Sequence, residues 1–164
     1  MADQTTNALA LYPGWDHYQH LLTRMISPLS PDQLALRSAP SLRTVGENCL
    51  HIIGARARWC HLIMGIGDET FAAYARWDAP DAPRRGATEL ADGLRQSWLI
   101  LRDGLARWTA GDLAFTYPNT EPDPGEPEVF TRAWILWHLI EHDVHHGGEI
   151  SQILGMHGIT GLNL

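Results

Sequence analysis

The stretch "TRAWILWHLIEHDVHHGGEISQILG", residues 131–155, decides how this chain is read. Thr131 suits a helix N-cap, and Trp134, Ile135, Leu139, Ile150, Ile153 and Leu154 supply its apolar members. The same segment holds His138, His142, His145 and His146, four of the chain's nine histidines. His138, His142 and His146 are each four apart, so they climb one face and drift only ~40° per step. Two imidazoles at i and i+4 can reach one ion. His138/His142 and His142/His146 both fit that spacing. His145 points ~100° away from His146 and stands outside such a pair. Histidine is a mediocre helix former, and a protonated cluster repels itself. A metal removes that repulsion because it binds neutral imidazoles.

Three further helices precede this one. "PGWDHYQHLLTRMI", residues 13–26, opens on Pro13, which suits a first turn, and spaces Trp15, Tyr18, Leu22 and Met25/Ile26 along one side. Pro28 and Pro31 end it, and "SPDQLALR" predicts a short extra turn. The second runs from about Thr44 to Met64. Thr44 and Glu47 read as a capping box, Leu50, Ile53, Ala57 and Cys60/His61 form one buried face, and Gly65 and Gly67 mark the stop. The third runs from about Thr88, read as its N-cap, to Trp108, with Leu90, Leu94, Trp98, Leu101 and Leu105 as its stripe. "AFTYPN" is at best a stray extended piece, and no strand pattern competes. The pattern predicts an all-α protein, a four-helix bundle in one domain over residues 1–164. The second and third connections, about twenty residues each, exceed what antiparallel neighbours need. "WDAPDAPRRG" and "NTEPDPGEPE" read as loops. Long loops permit crossovers and can wall off a site at one end of the bundle.

Composition excludes several classes. Apolar residues make up 45% of the 164, an ordinary globular value, and the formal charge is −7. An acidic chain whose longest basic run is Arg84-Arg85 is a poor candidate for gripping nucleic acid. No segment approaches 18 apolar residues, so no membrane span or membrane partner is expected. No signal peptide is evident. Cys49 and Cys60, ~16 Å apart on one helix, cannot bond to each other, and free thiols suit a cytoplasmic location.

A catalytic ion needs a third ligand. The other histidines are His17, His20, His51, His61 and His157. His51 lies among Leu50, Ile52 and Ile53, where a facing His pair would satisfy it. His61 is ~15 Å further along the helix and cannot serve the same site. His17 and His20 read as surface, and His157 as exposed. Two peptidase-like patterns fail. "HLIEH" lacks a suitable ligand well downstream, where, past the adjacent Asp143, Glu149 is the sole side-chain carboxylate. "HDVHH" puts Asp143 where a glutamate base belongs, one methylene short.

With these residues in view, the chain resembles the DinB/YfiT-like superfamily of metal-binding four-helix bundles, the DinB branch in particular. "WHLIEHDVHHGGEISQIL" is similar to that family's C-terminal H-x-x-x-H-x-x-H-H-x-G-Q signature. "CLHIIGARARW" is similar to its second anchor, a lone histidine followed by small residues and a tryptophan. The resemblance implies that His51, His142 and His146 are the metal ligands, with His138 a neighbour, and an up-down-down-up topology. Gly147 and Glu149 stand where the signature has a basic residue and a glutamine, and Glu149 would make the site more anionic. His142 replaces the glutamate of the thiol-dependent isomerase relatives.

Three neutral imidazoles suit zinc, nickel or iron and leave positions open. That implies either a metal-dependent thiol S-transferase, using a low-molecular-weight thiol, or a hydrolase. A non-enzymatic metal-binding bundle, stress-linked or dimerising, is the alternative. The expected partners are a small-molecule substrate and a second copy of the chain in a homodimer, because bundles often pair through spare apolar faces. Glu141, Asp143, His138, His145, Glu47 and Asn48 are candidates for supporting or acid–base roles. The plainer reading has Glu141 and Asp143 solvating the outer helix face. The seven tryptophans read mostly as packing, with Trp77 free to line a pocket or a dimer contact.

Overall fold

The structure is a computed structural model that describes residues 7–119, 124–125 and 128–164. Its helices are α1 (Ala8–Leu11), α2 (Pro13–Ile26), α3 (Pro31–Leu34), α4 (Val45–Ala57), α5 (Glu69–Ala72), α6 (Ala87–Arg107) and α7 (Arg132–Met156). The long helices α2, α4, α6 and α7 build the bundle. Thr44 caps α4 reciprocally with Glu47, as its sequence predicts, and Ser30 does the same for α3 with Gln33. Thr131 accepts a hydrogen bond from the Trp134 backbone N–H and caps α7.

The core has two layers, and their membership gives the topology. One holds Leu22 and Ile26 of α2, Cys49 and Ile53 of α4, Leu90 and Leu94 of α6, and Ile150 and Leu154 of α7. The other holds Trp15, Ala57, Leu101, Leu105, Ile135 and Leu139. Helices α2 and α7 therefore cross the layers in one direction, and α4 and α6 in the other. This is the up-down-down-up arrangement.

The structure corrects the sequence reading in several places. The second helix is α-helical only to Ala57; Arg58–Ile63 continues it as a wider π-helical turn, a form in which each bond skips one extra residue. It ends as expected at Gly65 and Gly67, both with positive φ. The connection to α6 holds α5 and a 3-10 turn, Ala73–Arg76. Asp68 caps α5, and buried Phe71 anchors it to the bundle. The N-cap of α6 is Gly86, so Thr88 lies inside the helix. "AFTYPN" contains a true strand, β1 (Thr116–Pro118), paired antiparallel with β2 (Val129–Thr131). These partners are separated in sequence by the Pro-rich stretch 119–128, whose reading as a loop lies mostly outside the described residues, and local alternation cannot reveal such a pairing.

Both cysteines are free and buried. Burial pushes each thiol up to about 12, so neither is a nucleophile near neutral pH. Among the described residues, no helix is long and apolar enough to cross a membrane. Trp15 and Trp98 are core residues, but Trp134 and Trp137 are exposed, against the packing expectation.

Candidate metal centre

Helix α4 carries His51 on the side facing α7, and α7 carries His142 and His146 one turn apart. The ring centroids of His51 lie 4.7 Å from His142 and 4.8 Å from His146, and those of His142 and His146 are 4.6 Å apart. One donor atom from each of the three lies within 4.8 Å of the others. The spacing alternatives therefore divide clearly. His142/His146 is the pair that meets His51. His138 sits one turn below, 5.7 Å from His142, with its ring stacked on Trp134.

The outer nitrogens of two of these rings are held. His51 Nδ1 donates to Asp78 Oδ2 at 2.7 Å, and Arg58 grips the same carboxylate through both terminal nitrogens at 2.7 and 2.9 Å. Burial alone would raise the Asp78 carboxyl, but hydrogen bonds from Arg58 and His51 hold it below its ordinary value. His146 Nδ1 donates to Glu149 Oε2 at 2.7 Å. A carboxylate can only accept, so each Nδ1 carries the proton and each Nε2 keeps its lone pair. Partners of this kind fix tautomer and ring orientation in metal-ligating histidines and raise ligand basicity. Gly54 makes room for the first of them. A Cβ there would stand 2.7 Å from Asp78 Oδ1.

His142 differs. Its Nδ1 is buried and has no hydrogen-bond partner among the described residues. Burial, with His146, His51 and His138 adding like-charge repulsion, lowers its pKa to about 3. His51 is also lowered, by burial against the opposing Asp78 hydrogen bond, with Arg43 adding to the depression. Burial lowers His146 against the pull of Glu149. Three imidazoles that resist protonation, one with an unspent buried nitrogen, fit the donor set a divalent cation takes. His61 Nδ1 is likewise buried and unpartnered, but His61 belongs to no such grouping. His145 and Glu149 form a second, more exposed grouping with His146.

Asp143 requires a correction. It does not solvate the outer face; only 1% of it is exposed. It turns into the bundle and pairs with the fully buried Arg56 through Nε at 3.1 Å and Nη2 at 2.8 Å. Trp15 Nε1 and Gln19 Nε2 also donate to it, each at 2.8 Å. Arg56 donates further to Leu94 O, Ser97 Oγ and Gln19 Oε1. The buried stripe of α7, Leu136, Leu139, Ile150 and Leu154, runs through position 143, so helical spacing could have marked this carboxylate as inward-facing, though not its partner. Glu141 is exposed as expected, and His17, His20 and His157 lie on the surface. Gly147, which departs from the family signature, lets α2 approach: a Cβ there would collide with the Tyr18 hydroxyl.

A hollow of about 400 Å³ reaches this centre at His51, between the start of α4 and the Pro-rich segment 77–86. Trp77 and the segment after it form one wall of this hollow, and of the three histidines His51 lines it.

Comparison with known proteins agrees with this architecture. No curated protein matches the chain. A DinB-like protein from Bacillus cereus, solved by crystallography at 2.01 Å, superposes with a TM-score of 0.72. It is 22% identical, with 96% of this chain and 97% of that one covered, which supports the shared fold. The DinB superfamily model matches residues 15–150. With most of its length inside that match, the chain belongs to the DinB superfamily.

Proposed function

We propose that His51, His142 and His146 hold a divalent metal ion (zinc, nickel or iron) and that the protein is a metal-dependent enzyme of thiol S-transferase or hydrolase type. The observation that carries this reading is the convergence of three neutral imidazoles from two helices, with Asp78 and Glu149 behind two of them. An ion in such a site acts as a Lewis acid, acidifying a water or thiol or polarising a substrate oxygen. The chain's own part is to keep the imidazoles deprotonated, fix their direction and leave one side open to a small molecule. His51, with its side chain 19% exposed, is the one of the three that lines the adjoining hollow.

The test is metal analysis of protein purified without a His tag or nickel column, followed by turnover of an electrophile with a low-molecular-weight thiol. Wild type should carry about one ion per chain and His142→Ala none. Wild type that binds no divalent ion would end the proposal.

A second reading, a non-enzymatic metal-binding bundle, rests on one observation. The carboxylates bonded to the triad, Asp78 and Glu149, are already engaged by its histidines, so neither is free to act as an acid or base. That reading predicts metal-dependent thermal stability with no rate enhancement toward any thiol or ester.

A further inference from the structure

We propose that the hollow beside His51 is an oxyanion site, selecting small molecules that carry a carboxylate or phosphate and presenting their other end to the triad. Its position beside a reactive centre rests on the metal reading above; its charge does not. The hollow of about 400 Å³ is within the size range of small-molecule sites, roughly 300–1,000 Å³. A neighbouring hollow of about 350 Å³ shares Glu47, Leu50 and Arg84 with it, so the two adjoin in the cleft region at the start of α4.

The charges around this cleft do not cancel. Glu47 is committed: it accepts from the Thr44 backbone N–H at 2.7 Å and lies 3.8 Å from Arg37. Asp78 is committed to His51 and Arg58. Arg85 pairs with Glu89, with its guanidinium 3.9 Å from the Trp77 ring centre. Arg43 and Arg84 line the hollow and make no hydrogen bond or ion pair among the described residues. The chain has no lysine and a net charge of −7, so two unspent guanidiniums around one hollow reverse the local sign. A guanidinium matches the planar, two-pronged geometry of a carboxylate or phosphate better than any other cationic side chain. Leu50, Trp77 and Pro83 supply an apolar wall for the rest of the ligand.

The experiment has two arms. In the first, metal-free protein is titrated calorimetrically with succinate and with inorganic phosphate, on wild type and on Arg43→Gln/Arg84→Gln. At least one probe should saturate, and the double variant should weaken it about tenfold or more (~1.4 kcal/mol); the tighter probe identifies the oxyanion. Arg43→Lys/Arg84→Lys should keep part of the affinity. Equal binding by wild type and the glutamine variant, or saturation by neither probe, overturns the proposal. In the second arm, cobalt-loaded protein is titrated with mercaptosuccinate and with 2-mercaptoethanol, read by the thiolate-to-cobalt absorption. Wild type should prefer mercaptosuccinate, and the glutamine variant should lose that preference without losing 2-mercaptoethanol. An absent preference overturns the link between hollow and centre. Failure to take up cobalt at all overturns the metal reading instead, and the first arm still decides the anion site.

Discussion

His142 and Asp143 are neighbours in sequence, ~100° apart around α7, and each sits in a polar cluster shared with α4. The two clusters differ in how completely their hydrogen-bonding capacity is used. Around Asp143, Arg56 spends its guanidinium on four partners, and the carboxylate accepts from Arg56, Trp15 and Gln19. That cluster is closed, and it ties α2, α4, α6 and α7 together. Around His142, two rings have their outer nitrogens held while the third keeps a buried nitrogen without a partner. A buried polar group left unsatisfied costs stability, and this one belongs to the ring that both His51 and His146 face. The closed cluster is structure; the open one is where chemistry can occur.

The largest expected effect comes from breaking the closed cluster. Asp143→Ala leaves a guanidinium with no exposure unpaired, and should cost about 3–5 kcal/mol in urea unfolding. An unchanged unfolding midpoint would erase the distinction between the clusters. His142→Ala should show the opposite pattern: metal retention lost in plasma emission analysis, with the metal-free protein destabilised by less than about 1 kcal/mol. Next comes the support behind His51. Asp78→Asn removes the charge but not the shape, and should weaken metal affinity about 10–100-fold in chelator competition. Gly54→Ala pushes the same carboxylate aside by steric contact, so a smaller loss, under about tenfold, is expected from the same assay.

The gentlest probe is pH. Unfolded His142 takes up a proton near its ordinary value of 6.5, but the folded group does not until about 3. Between those values the unfolded state binds more protons, so the metal-free protein should lose stability steadily as pH falls from about 6.5 toward 3. His142→Ala should flatten that slope, measured as the unfolding midpoint at each pH.

How far the sequence reaches depends on the range of the interaction. The four long helices follow from local periodicity and caps, and Thr44 and Thr131 cap as read. The histidine grouping was legible because i,i+4 spacing is itself local, and resemblance supplied His51. The partners that set the chemistry were not. Asp78 lies 27 residues from His51, and Arg56 lies 87 from Asp143. Nothing in the neighbourhood of either residue announces such a pairing. The π-helical turn after Ala57 was missed because its apolar spacing passes for an ordinary α-helix. The β1–β2 pair was missed because its strands are three residues each.

The residue that orients His51 is not itself on a bundle helix. Asp78 belongs to the proline-bearing segment between the 3-10 turn and α6, braced by Arg58, which also bonds the Ala75 carbonyl at 2.8 Å. Surface segments of this sort accept lengthening and exchange far more readily than packed helices do. The basicity of one imidazole can therefore be retuned by edits to a connecting segment, with all three histidines and the core left untouched. That segment is a handle on the direction and basicity of His51 from outside the four long helices.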